Sequence, residues 1–363
     1  DATLIMKSLD GPLAPPHWHG ALDLPAYRLG RGPALLNFNY QSNHTIAPIR
    51  NVFGLIKGSE EPDRYVLLGN HRDAWTFGAG DPNGGTATLL ELAERLGKLL
   101  KEGWNPKRSI LLCNWDAEEY ALIGSTEWVE ENYDLLFSSA VAYLNVDEAV
   151  KGPGFAAKAT PQLDDLIQEI AKEVEDTDNP GKTIYESLVS NSSVNIERLG
   201  GGGSDYAAFI QHSGIPSTDF TFGKGFPVYH SLYDNYMWMA EFGDPLFHRH
   251  VSMGTMWGLA VLKLADATLL PFNYSTYADN LHTYVNVLET QLNAVEAPAR
   301  VTTVPLHKSI AKLRKSAIHI TKSAKEAKVN LKLRRCLNDR LVMAERAFTD
   351  SQGLPRNPWY KHM

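Results

Sequence analysis

Three short apolar runs constrain this chain more than any other feature: RYVLLG (64–69), SILLCNW (109–115) and VAYLNV (141–146). Each is bounded by polar turns and too short for a helix that would bury it, so each reads as a strand. They are nearly continuous rather than alternating, the pattern of strands covered on both faces in a largely parallel sheet. Between the first two lies TATLLELAERLGKLL, which places Leu89, Ala93, Leu96 and Leu100 on one helical stripe. Strand, helix and strand in that order predict an α/β layer structure.

In open α/β sheets the ligands sit beyond the carboxyl ends of the strands, so the residues following each run matter most. RYVLLG leads to His71, Asp73 and then Asp81; SILLCNW leads to Glu118 and Glu119; VAYLNV leads to Asp147. His230, in FPVYHSLYD, belongs to a later loop that can return to the same edge. Any one of these alone is ordinarily a cap or a solvated turn. Together they form the imidazole and carboxylate set that suits zinc at a hydrolytic site. So many acids at one edge repel each other unless cations or protons intervene, and two divalent ions sharing a carboxylate remove that repulsion.

The 363 residues allow two domains, or a large one with a smaller companion. A net charge of -7 argues against a nucleic-acid binder. Cys113 and Cys336 are too few for a disulfide framework, and Cys113, inside an apolar run, is expected as a buried thiol. The sequence has no long apolar span and no leader-like start. Three Asn-x-Ser/Thr triplets, at Asn43, Asn191 and Asn273, point instead to a secretory lumen. Residues 1–47 are rich in Pro and Gly, with β-like runs such as ALLNFNY, and read as the edge of an irregular domain. After about residue 270 the texture becomes helical, and YADNLHTYVNVLETQL puts Leu281, Val285, Leu288 and Leu292 on one stripe. From Lys308 to Arg335 ten Lys and Arg accompany a single acid, Glu326, the composition of a solvated helix face. GGGGSD (200–205) lacks the lysine or strand-to-helix setting of a phosphate loop. No G-x-S-x-G elbow is present for a serine hydrolase.

Taken in order, NHRDAWTFGAGDPNGG, WDAEEYALIGSTEW, YLNVD and FPVYHSLYDNY closely resemble glutamate carboxypeptidase II and its relatives, membrane-anchored di-zinc peptidases that include the transferrin receptor. DPLFHRHV and ATPQLD resemble the plant branch. The resemblance implies a zinc-aminopeptidase-like α/β fold: a mixed, largely parallel sheet flanked by helices, followed by a helical domain. It implies the end of an apical protease-associated domain in 1–47, the di-zinc peptidase domain in 48–269 and a helical domain that builds a homodimer in 270–363. Both outer domains are expected to be cut short. The anchor is expected upstream of this sequence, in a membrane of the secretory pathway (endoplasmic reticulum or cell surface), with the catalytic part lumenal or extracellular.

Carried over position by position, the resemblance makes Asp81 the ligand bridging two Zn2+. His71 and Asp147 complete one ion's site, Glu119 and His230 the other's. Glu118 becomes the general base toward a water shared by the ions. Asp73 becomes the acid that orients His71, and Tyr229 the phenol that hydrogen-bonds the developing oxyanion. Gly203, Ser204 and Asp219 fall in substrate-binding positions. Glutamate-specific members have arginines where GIPSTDFTF has Asp219 and Thr221, and an Asn where Ser204 stands. An acid there repels a C-terminal glutamate, so aminopeptidase or dipeptidyl-peptidase specificity is the expectation, with Asp219 facing a cationic group. Glu127 and Glu130, three apart on a helix, match an acidic pair that holds a structural Ca2+. Asp81-Pro82 is a candidate cis bond. The expected function is zinc-dependent exopeptidase hydrolysis of small peptides. The rival is a receptor or scaffold that kept the fold and lost catalysis, and competent residues at all five ligand positions and the base favour the enzyme.

Overall fold

The computed structural model describes residues 2–189, 195–295, 301–326 and 331–363, so the Asn191 triplet lies outside the described residues. The chain divides into two units, residues 1–48 and Ile49–Met363. The first holds helix α1 (Ala2–Lys7) and the antiparallel strands β1 (Asp10–Leu13) and β2 (Arg28–Gly30). ALLNFNY forms no strand there, and Leu35, Leu36, Phe38 and Tyr40 are exposed. A strand needs a neighbour's row of amides and carbonyls, and among the described residues of this unit only β1 and β2 pair.

The second unit is built on a six-stranded sheet in the order β3 (Val52–Ile56), β5 (Arg108–Trp115), β4 (Glu61–His71), β6 (Ala140–Asn145), β8 (Ser217–Phe222), β7 (Phe155–Ala159). β5, β4, β6 and β8 run parallel, with β3 and β7 antiparallel at the edges. The three apolar runs are therefore neighbouring central strands. The other three strands were not legible as strands. VFGLI is exposed at the edge, FAAKA is short, and STDFTF hides its strand character behind buried hydroxyls at Ser217 and Thr218.

Side-chain alternation divides the core. Val66, Leu68, Ile110, Leu112 and Leu144 face α2 (Asn83–Lys101) and α8 (His248–Asp266), meeting Leu89, Leu92, Leu96, Met256 and Trp257. Leu67, Cys113, Trp115 and Tyr143 face the other way, against Val129 of α3 (Ile123–Glu131), Leu136 of α4 (Tyr133–Ser139) and Phe209. Cys113 is buried, as expected. Shorter helices α5 (Asp164–Ala171), α6 (Ile184–Leu188) and α7 (Tyr236–Trp238) fill the connections.

Three helices close the chain: α9 (Tyr274–Ala294), α10 (Val304–Glu326) and α11 (Leu331–Arg346). The α9 stripe turns Ala278, Leu281 and Val285 onto Ile310 and Leu313 of α10, and leaves Leu288 exposed. Buried Glu345 of α11 accepts from Gln162 and Tyr277, and Arg346 donates to the Ala140 carbonyl at 2.5 Å. The basic stretch is largely solvated, as its composition implies, with Lys308, Lys312, Lys315, Lys322 and Lys332 exposed, and its ion pairs are made by arginines. Arg314 pairs with Asp279, and Arg335 pairs with Asp63 and Asp339. Among the described residues, no helix is long and apolar enough to cross a membrane.

Candidate metal centre

The parallel strands end on the residues that make the site. His71 is the last residue of β4, Asp147 lies just beyond β6, and the Glu118–Glu119 loop follows β5. Asp81 stands in the turn before α2, across a cis peptide to Pro82, and His230 returns from the loop after β8.

Asp81 is the carboxylate that both imidazoles reach. Its Oδ1 is 3.1 Å from His71 Nε2, and its Oδ2 is 2.9 Å from His230 Nε2. Asp147 Oδ1 closes on His71 Nε2 at 2.8 Å, and Glu119 Oε2 on His230 Nε2 at 3.2 Å. Glu118 Oε2 stands back at 4.0 Å from His71 Nε2. The side chains come close enough to hold a metal in two groups, His71 with Glu118 and Asp147, and Asp81 with Glu119 and His230. Donor atoms around one tetrahedral zinc are about 3.3 Å apart. The four imidazole–carboxylate separations, 3.1, 2.9, 2.8 and 3.2 Å, lie close to that spacing, while Glu118 at 4.0 Å lies outside it. Asp81 Oδ1 and Glu119 Oε1 are buried without a hydrogen-bond donor, which is costly unless a cation satisfies them. The donor set therefore fits zinc.

The protonation states carry the same signal. Burial, then the Asp147 carboxylate, pushes Glu118 up to about 9. Burial, then Asp81, pushes Glu119 up to about 7. Burial works to lower His71, but the Asp147 carboxylate and hydrogen bonds to its neighbours outweigh it and raise the imidazole. Without a metal, protons take the place of cations.

The supporting groups differ in one respect from the sequence expectation. His71 Nδ1 meets the backbone carbonyl of Asp73 at 2.9 Å, while the Asp73 carboxylate is 3.7 Å away. That carboxylate instead accepts the backbone amides of Glu118 at 3.0 Å and Glu119 at 3.1 Å, clamping the acid pair. Sequence reading missed Asp234, whose two oxygens accept the amides of Gly80 and Asp81. It also missed Asn70, whose Nδ2 ties β4 to the carbonyls of Val146 and Asp147. Asp234 lies within a motif quoted for His230, but an acid in a turn gives no sign of which amides it will cap. Ala117, Ala121, Leu122 and His230 hold positive φ between +52° and +79°, strain of about 1–3 kcal/mol each that gathers around the acids.

Tyr229 stacks on His230 with ring centroids 3.7 Å apart. Gly203, at φ +101°, borders two cavities. One, about 320 Å³, is lined by Asp147, Glu148, Lys151 and Asp219. Asn145 Nδ2 donates to Asp219 Oδ1 and to Ser204 Oγ, both at 2.9 Å, so Ser204 is buried behind the cavity. Burial, then Asp147, pushes Asp219 up to about 6. The second cavity lies on the acid-pair side. Glu127 and Glu130 share the exposed side of α3, and Glu130 Oε1 accepts the Trp359 indole N–H at 2.5 Å.

One buried imidazole, His71, and one exposed imidazole, His230, share one carboxylate at the open end of a parallel sheet, the arrangement of a candidate metal centre. Residues 51–241 match Peptidase family M28, and residues 301–363 match the transferrin receptor-like dimerisation domain. All of this chain aligns with 52% of a probable glutamate carboxypeptidase of Arabidopsis thaliana at 56% identity, and with 51% of one of Zea mays at 46%. It also aligns with 53% of an aminopeptidase of Rattus norvegicus at 34% identity. The chain belongs to peptidase family M28, on the branch with the glutamate carboxypeptidases and the transferrin receptor-like domain. It spans about half the length of these curated relatives.

Proposed function

We propose that this chain carries the catalytic centre of a zinc-dependent exopeptidase acting on small peptides. The observation that carries the reading is Asp81, one carboxylate oxygen on each imidazole, with a buried oxygen that lacks a donor. His71 and Asp147 would share one Zn2+ with Asp81, and Glu119 and His230 a second. Bound there, the metals supply Lewis acidity and a lowered pKa for water. Glu118, farther from the imidazole than the other acids of the site, accepts the proton of the attacking water and delivers it to the leaving amine. The Tyr229 phenol donates to the oxyanion. Asp219 offers a carboxylate to a cationic group of the substrate, which favours aminopeptidase or dipeptidyl-peptidase action. A silent scaffold has no need of unsatisfied buried carboxylates.

The remaining assignments follow the same family reading. Residues 270–363 are the dimer-forming region, supported by the match over 301–363. Glu127 and Glu130 offer one face to a structural Ca2+. On the family resemblance, the protein is proposed for a membrane of the secretory pathway. Asn43 is exposed and open to glycosylation, whereas the Asn273 amide caps α9 and bonds Asp165. Metal analysis with hydrolysis of free and N-blocked dipeptides tests the central reading. Two zinc ions per chain and cleavage restricted to one blocking state are expected. One ion at saturation, or no cleavage with both bound, would overturn it.

A further inference from the structure

Asp81 and His230, whose side chains meet at 2.9 Å, lie 149 residues apart on separate loops. Asp234 joins those loops. Its carboxylate is buried and accepts the backbone amide of Gly80 at 2.7 Å on one oxygen and that of Asp81 at 3.1 Å on the other. Its carbonyl accepts the Ala79 amide at 3.3 Å, and Thr76 Oγ1 donates to the Ser231 carbonyl at 2.9 Å. The seam is tight. A Cβ at Gly80 would lie 3.0 Å from the Phe226 ring and 3.2 Å from Asp234 Oδ1, so the loops meet with little room for a side chain there. His230 itself holds φ +52°, a strained conformation that persists only where its surroundings fix it. The other imidazole is held differently. His71 ends β4 in register with Trp115 of β5, and Asn70 beside it ties the strand to the carbonyls of Val146 and Asp147.

We propose that Asp234 is the positioning residue for one of the two zinc positions, the one that Asp81 shares with Glu119 and His230, and that its loss weakens this position selectively. A buried carboxylate that accepts two amides makes strong, charge-assisted hydrogen bonds. Through them it sets the reach from the shared carboxylate to His230. His71 and Asp147 keep their places from the sheet, so the position they share with Asp81 does not depend on the clamp. Groups that hold a ligand in place from behind typically change metal affinity by about 10- to 100-fold when removed. The inference rests on the two-zinc reading and names the residue that makes the second position.

Calorimetric titration of the metal-free chain with zinc tests it in the wild type, Asp234→Asn and Asp234→Ala, a measurement independent of hydrolysis. The wild type should bind two ions. Asp234→Ala should bind the first with unchanged affinity and the second about 10- to 100-fold more weakly. Asp234→Asn keeps one acceptor oxygen and should fall between the two, and it reads the same point if the alanine variant fails to fold. Raising the zinc concentration should restore kcat in both variants, which a general loss of folding would not allow. Unchanged affinity at both positions overturns the inference. An equal loss at both positions also overturns it, because Asp234 would then support the fold and not one position. Two ions bound with the expected selectivity but no cleavage of any peptide would sink the peptidase reading and leave the clamp standing.

Discussion

The two ends of strand β4 handle charge in opposite ways. At its amino end Glu61 pairs with buried Arg108 at 2.7 Å, and Arg108 also donates to the carbonyls of Leu264 and Ala267. Asp63, Arg64, Arg335 and Asp339 extend this into a network of alternating sign. At its carboxyl end, about ten residues on, His71 meets Asp81, Glu118 and Asp147, and like charges crowd together. At the amino end the buried guanidinium meets an opposite charge within the protein; at the carboxyl end the charge is balanced only with protons or cations. That contrast separates charge that holds the fold from charge kept for chemistry.

The largest effects should come from the carboxyl end. Glu118→Ala should keep both metals while kcat falls by about 10²–10⁴-fold, because the attacking water loses its proton acceptor. Glu119→Ala should instead weaken metal binding at the ion shared with His230. Zinc content and rate, measured on the same samples, separate the neighbours. An emptied site in Glu118→Ala with a full one in Glu119→Ala would reverse their roles.

At the amino end the effect should be on stability alone. Arg108→Ala leaves Glu61 without its cation and two carbonyls without a donor, a loss of about 3–5 kcal/mol for breaking a buried pair. Denaturant midpoints of zinc-loaded protein check this, with residual folded protein keeping its zinc. Equal damage to zinc content and to stability would erase the distinction between the two ends.

The carboxyl end of this contrast was legible in the sequence because the three apolar runs and the residues after them follow from patterning, whereas the strand order and the Glu61–Arg108 pair did not. RYVLLG, SILLCNW and VAYLNV marked three central strands, and the residues after them converged as expected. β8 was not legible, since Asp219 and its hydroxyl neighbours resemble a loop until a parallel neighbour hides them. Asp73 shows another limit. Its proximity to His71 was readable, but whether its carbonyl or its carboxylate faces the imidazole depends on the turn's backbone path. Trp359 lies more than two hundred residues from Glu130, a separation no local pattern bridges.

A pH series sharpens the carboxyl end. In metal-free protein Glu118 and Glu119 titrate at about 9 and about 7 instead of 4.5. Between 4.5 and those values the folded state holds protons the unfolded chain has lost, so stability falls as pH rises through this window. His71, also raised, adds the same sign above 6.5. Urea midpoints in chelator should therefore decline from about pH 5 to 9 more steeply in the wild type than in Glu118→Gln/Glu119→Gln. Saturating zinc should reduce the difference. Parallel slopes would show that the acids carry no such strain.

The smallest effect belongs to the exposed margin of the amino end. Asp63 is more than half exposed although it bonds both Arg64 and Arg335, and the Arg335 guanidinium holds its carboxyl below the usual range despite partial burial. Water screens such pairs, and ordering two long side chains offsets much of their attraction. Asp63→Asn should cost no more than about 1 kcal/mol, and salt near 1 M should remove most of that, because the screening length falls to about 3 Å. Denaturant midpoints at low and high salt measure it. A salt-independent loss as large as that of Arg108→Ala would mean that the network acts as one buried unit, and the amino end would then depend on its rim as strongly as on the Glu61–Arg108 pair.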